Sequence, residues 1–130
     1  MKPLAMLLSC LLAGCATAPG TKTLTPLDNG QEFTVLAGTI LVVELPSNRT
    51  TGFGWANRSE GQALEQLGAA EYMQDSPSGM VGAGGTEIWR FRAAHAGRET
   101  LRLEYARPWE KNAAPAKIIT FNLLVKGGGR

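Results

Sequence analysis

At 130 residues the chain has room for one domain with one core, not two. A formal charge of +2, with no basic stripe or arginine block, argues against nucleic acid as a partner. One histidine and no cluster of ligating side chains argue against a metal, a cofactor, a small-molecule substrate and catalysis.

Met1 and Lys2 form a short basic start, and Pro3 to Leu12 is apolar apart from Ser9. Leu12-Ala13-Gly14-Cys15 closes the run with small residues, which is the layout of a secretory signal over residues 1–14. The apolar run is too short for a membrane-spanning helix, which needs about 20 such residues. Leu-Ala-Gly-Cys has the form of a bacterial lipobox, with cleavage after Gly14 and lipid on Cys15. The other reading of the same residues is an ordinary signal that ends by chance at a cysteine. Ala16 stands where an aspartate would mark inner-membrane retention. The expectation is therefore an envelope protein held by its N-terminal lipid at the outer membrane, facing the periplasm. Residues 15–26 are small, polar and proline-containing and read as a flexible tether, leaving 27–130 for the domain. With Cys10 removed and Cys15 acylated, no pair remains for a disulfide, so packing alone must hold the fold.

Alternation at period 2 dominates the domain, as half-buried strands require. Gln31 to Val35 is the first such run, and Ile40 to Leu45 the second, divided from it by Ala37-Gly38. Glu60 to Ala70 offers a short helical turn at most, with Leu64 and Leu67 three apart. Glu87 to Phe91 sets Glu87, Trp89 and Phe91 on one face. Thr100 to Tyr105 sets Leu101, Leu103 and Tyr105 against Thr100, Arg102 and Glu104. Ala96-Gly97-Arg98, between these two runs, reads as a hairpin connection that holds the lone His95 in solvent. Ile118 to Val125 gathers Ile119, Phe121, Leu123 and Val125. Glu87, Glu99 and Glu104 read as outward strand charges. The sum is an all-β protein, an immunoglobulin-like β-sandwich of about seven strands with Greek-key connections, with a small closed barrel as the alternative. The expected core includes Phe33, Trp89, Phe91, Leu101, Leu103, Tyr105, Ile119, Phe121 and Leu123.

Three connections carry more than a turn needs. Asn48-Arg49-Thr50-Thr51-Gly52-Phe53-Gly54-Trp55 sets two hydroxyl residues and two aromatics among glycines. Trp55 reads as a core plug, and Thr50 and Thr51 as exposed. Ser78 to Thr86, which contains Gly82-Ala83-Gly84-Gly85, is too poor in side chains to build a core but can offer bare backbone to a partner. It has no lysine and no following helix, so a phosphate loop is a weak reading. Arg107-Pro108-Trp109 leaves the clearest strand, and proline there limits where the tryptophan points. Trp109 either folds back over the open end of the sandwich or stands out as a binding hot spot. A Greek-key sandwich can gather all three at one end.

These segments resemble, in order, the three loops of the chagasin family of inhibitors of papain-like cysteine peptidases: Asn-Pro-Thr-Thr-Gly-aromatic at Asn48 to Phe53, Gly-x-Gly-Gly at Gly82 to Gly85, and Arg-Pro-aromatic at Arg107 to Trp109. The resemblance covers nearly all of residues 27–126. It implies a reversible inhibitor that fills the protease cleft without catalysis or cofactor. Thr50 and Thr51 are then expected beside the catalytic cysteine, Gly82, Ala83, Gly84 and Gly85 on the unprimed side, and Trp109 on the primed side. Arg107 is expected to shape its loop or reach a protease carboxylate. Arg49 departs from the family proline, which frees the unbound loop but adds a charge at the rim. The competing function is a non-inhibitory envelope module that grips another protein with the same loops.

Overall fold

A computed structural model describes residues 19–74 and 84–127. The signal, Cys15, Gly82 and Ala83 lie outside the described residues. Among these residues nine strands follow in chain order: β1 Thr21–Leu24, β2 Glu32–Leu36, β3 Ile40–Ser47, β4 Gly54–Asn57, β5 Leu64–Gln66, β6 Glu71–Gln74, β7 Gly85–Ala93, β8 Gly97–Ala106 and β9 Lys117–Lys126. Two sheets form, one ordered β1-β3-β7-β5 with β6 also on β7, the other β2-β9-β8-β4. The architecture is the expected immunoglobulin-like sandwich, and the two separate sheets dispose of the barrel.

Period 2 explains the core. Leu41, Val43 and Leu45 of β3 alternate inward with outward Val42 and Glu44. They meet Phe91 and Trp89 of β7 across an antiparallel register that pairs Leu41 with Phe91 and Val43 with Trp89. From the facing sheet come Leu101 and Leu103 of β8, in register with Phe121 and Ile119 of β9. Phe91, Phe121, Leu101 and Leu103 are almost wholly buried. Each such side chain contributes about 1.5–3 kcal/mol by leaving water. Phe33 is only half-buried at the margin of this core, where Lys22 Nζ lies 4.5 Å from its ring centroid.

Four expectations are corrected. Residues 21–24 are not tether: β1 pairs in parallel with β3, and Leu24 is fully buried. Its threonines and lysine hide the strand from composition, because only one residue faces the core. Glu60 to Ala70 holds no helical turn. Gly68, at φ +75°, instead separates β5 from β6, two short strands that share one edge of β7. Ala96-Gly97 is not a hairpin, since β7 and β8 belong to different sheets and the chain crosses the sandwich there. Glu87 and Glu99 face inward, 6% and 7% exposed. Each lies in phase with apolar neighbours, and each finds donors that make burial tolerable.

The crossings decide where the loops lie. The chain passes from β3 to β4, from β6 to β7 and from β8 to β9 at one end of the sandwich, because β3, β6 and β8 all end there. The three unusual segments are these three connections, called loops 1, 2 and 3 in chain order.

Candidate functional site

Loop 1 is built as a tight turn. Asn48 is extended (φ −127°, ψ 100°) and caps a short 3-10 turn over Arg49–Thr51. Its Oδ1 accepts the Thr50 N–H at 3.1 Å and the Thr50 hydroxyl at 2.6 Å. The Thr51 hydroxyl donates to Asn48 O at 2.7 Å, and the Gly52 N–H closes the turn on Arg49 O at 3.1 Å. Gly52 takes φ +82°, which only glycine adopts at little cost. Asparagine and the threonines are suited to this because their short side chains bond nearby backbone. Thr50 and Thr51 are exposed at the tip.

Two polar anchors fix the ends of loop 1 to the core. Tyr105 Oη accepts the Asn48 N–H at 3.0 Å. One oxygen of buried Glu87, Oε2, accepts from the Ser47 hydroxyl at 2.8 Å and from the Trp55 N–H at 3.3 Å, joining the residues that flank the loop. Its other oxygen accepts the Trp89 Nε1–H at 3.1 Å. Trp55 is buried as a plug, and its Nε1–H donates to Pro46 O at 2.9 Å.

Loop 3 is fastened onto loop 1. The turn Arg107-Pro108-Trp109-Glu110 is closed by the Glu110 N–H on Arg107 O at 3.0 Å, with proline where a β-turn favours it. Arg107 Nε–H donates to Thr51 O at 3.1 Å. The same guanidinium lies 4.4 Å from the Phe53 ring centroid, Phe53 stacks on Tyr105 at 5.2 Å, and Tyr105 meets Trp55 at 4.9 Å. A continuous stack therefore runs from the loop 3 cation to the core. Trp109 is 64% exposed and rests against Gly52, where any Cβ would collide with its ring. Trp109 is thus largely exposed and leans on loop 1, not buried in the open end of the sandwich.

Loop 2 is described only at its return. Gly85 pairs with Ser47, beside the start of loop 1, and with Gln74. A Cβ on Gly85 would stand 2.5 Å from both Met73 O and Tyr72 Cζ, so the close approach of β6 to β7 requires glycine there. The described site residues from all three loops thus meet at one edge.

The sequence profile described as Chagasin family peptidase inhibitor I42 matches residues 34–125, a span that includes all three loops. The chain belongs to the chagasin family. Chagasin of Trypanosoma cruzi is 34% identical over 90 residues, covering 65% of this chain and 80% of its own. Amoebiasin-2 of Entamoeba histolytica is 25% identical over 87 residues, covering 67% and 71%. Among solved structures, a cysteine protease inhibitor from Entamoeba histolytica superposes with a TM-score of 0.75 at 22% identity, over 85% of this chain and 99% of that one. That likeness supports the fold. The family is one of peptidase inhibitors, not enzymes.

Glu87 and Tyr72 are the supports that reading the sequence missed. Glu87 carried a signal, since it shares the phase of Trp89 and Phe91. Tyr72, on a four-residue strand, carried none.

Proposed function

We propose that this protein reversibly inhibits papain-like cysteine proteases by filling the active-site cleft with its three loops. In this reading Thr50 and Thr51 enter beside the catalytic cysteine. Gly82 to Gly85 run along the unprimed side through backbone contacts. Trp109 packs on the primed side. Asn48, Gly52, Phe53, Arg107 and Pro108 hold that edge in shape. No bond is cleaved, and substrate is excluded by occlusion.

The observation that carries the reading is the fastening of loop 3 onto loop 1 in the free chain, through Arg107 to Thr51 O and Trp109 over Gly52. Such an edge has already lost freedom that association would otherwise remove. Protease–inhibitor interfaces bury roughly 1,600 Å² in total, and nanomolar affinity needs about −12 kcal/mol. An exposed tryptophan on a fixed turn is the side chain best suited to supply a large share.

The test uses the chain from Ala16, which keeps every strand, titrated into papain with a fluorogenic substrate. Competitive inhibition is expected. Trp109→Ala should raise the inhibition constant about thirtyfold, or about 2 kcal/mol, with the melting temperature unchanged. Several papain-like enzymes left fully active at micromolar inhibitor would sink the proposal in favour of a non-inhibitory binding module. The same proposal sets the protein on the outer membrane, facing the periplasm, by lipid on Cys15. Labelled palmitate should enter the wild type and not Cys15→Ser.

A further inference from the structure

We infer that Arg49 and Tyr72 form a second clamp on loop 1, which makes Arg49 a positioning residue of the inhibitory edge and not a group that meets the protease. The inference rests on the inhibitory reading for its consequence, but its structural part stands apart from it.

Arg49 Cζ lies 4.3 Å from the centroid of the Tyr72 ring, within reach of a cation–π attraction. Tyr72 is itself well placed to be a fixed platform. It sits on β6 opposite Glu87 of β7, on the inward phase. Its Oη reaches Ser47 O at 3.5 Å, and the bare backbone of Gly85 leaves room for the ring where a Cβ would stand 2.5–2.6 Å from Cζ and Oη. Arg49 is the first residue of the loop 1 turn, and its carbonyl accepts the Gly52 N–H that closes it. Holding Arg49 therefore holds the turn whose next two residues are Thr50 and Thr51.

The arrangement mirrors the other flank of the loop. Arg107 reaches in from loop 3 onto Phe53, at 4.4 Å; Arg49 reaches out from loop 1 onto Tyr72, at 4.3 Å. Tyr72 belongs to the strand that leads into loop 2, and Gly85 begins the strand that leaves it. One ring thus receives loop 1 from one direction and the return of loop 2 from another. Position 49 is also one where proline is commonly accepted: the preceding residue is extended, and position 49 opens the turn. With arginine there, the ring constraint is absent, and the contact with Tyr72 supplies a constraint from outside.

The test reads backbone amide exchange of Thr50, Thr51 and Gly52 by NMR in the free chain from Ala16, together with the inhibition constant for papain. Arg49→Ala and Tyr72→Leu should each speed exchange and raise the inhibition constant about two- to fivefold, as an exposed cation–π contact allows. The double variant should go no further than either single one. Tyr72→Phe, which keeps the ring, should stay within about twofold of wild type. Unchanged exchange in Arg49→Ala overturns the clamp. A raised inhibition constant without faster exchange overturns it as well and assigns Arg49 to the protease surface. Additive effects in the double variant do the same. Because exchange needs no protease, wild type that fails to inhibit papain would defeat the inhibitory reading and leave the clamp standing.

Discussion

Glu87 and Glu99 occupy equivalent places near opposite ends of the sandwich, both almost sealed from solvent, and their company differs. At the loop end, Glu87 receives three donors from three different segments: the Ser47 hydroxyl, the Trp55 N–H and the Trp89 indole. At the far end, Glu99 receives the Leu64 N–H at 2.9 Å and lies under Gly61, whose Cβ would stand 2.6 Å from its carboxyl carbon. The fold uses one device twice, a buried carboxylate that bonds the backbone where a strand begins. It invests more donors where the connection must keep a fixed shape. Glu87 ties the residues that flank loop 1 to the core, while Glu99 secures a strand end.

Replacing each glutamate in turn is the most direct way to break this comparison. Glu87→Ala strands three donors and should cost about 3 kcal/mol in urea unfolding, with weaker papain inhibition in whatever fraction remains folded. Gly52→Ala sharpens the comparison by disturbing the loop end alone. Its left-handed φ and the collision with Trp109 should cost about 1–2 kcal/mol of stability. The loss of inhibition should be proportionally larger, because Trp109 is displaced. Glu99→Ala, which strands one donor at the far end, should cost about 1 kcal/mol and leave the inhibition constant unchanged. Equal losses for the two glutamates would end the distinction. The smallest effect is expected for Arg49→Pro, at the first position of a turn where proline is commonly accepted, with stability within about 0.5 kcal/mol of wild type.

Long strands with one buried face were legible because alternation is a property of the chain itself. Thr100 to Tyr105 and Ile118 to Val125 were found within β8 and β9, lacking only their ends. β1, β5 and β6 were not found, for a physical reason: three or four residues on a sheet edge bury one side chain or none, so no period is written into them. The Ala96-Gly97 turn shows a second limit. Turn chemistry records that the chain reverses, not which sheet it joins afterwards. Charge misled at Glu87, where phase was the better guide, because a carboxylate can go inward when tertiary donors await it, and two of its three donors come from residues 40 and 32 positions away. In the candidate site, the ordered motifs marked the exposed edge. Its supports at Glu87 and Tyr72 depend on contacts between strands distant in sequence.

The direction of β1 has a further consequence. Running parallel to β3, it begins beside Ile40 and Pro19 touches Gly38, so the chain enters the domain at the end opposite the three loops. The eight residues of β3 separate the two ends by about 24 Å at the usual rise of a strand. Three residues lie between Cys15 and the bonded Pro19-Gly20 segment, so four Cα-to-Cα steps of at most about 14 Å in all separate Cys15 from Pro19. Under the proposed lipid on Cys15, so short a leash would keep the blunt end of the domain nearer the bilayer than the end that carries the three loops.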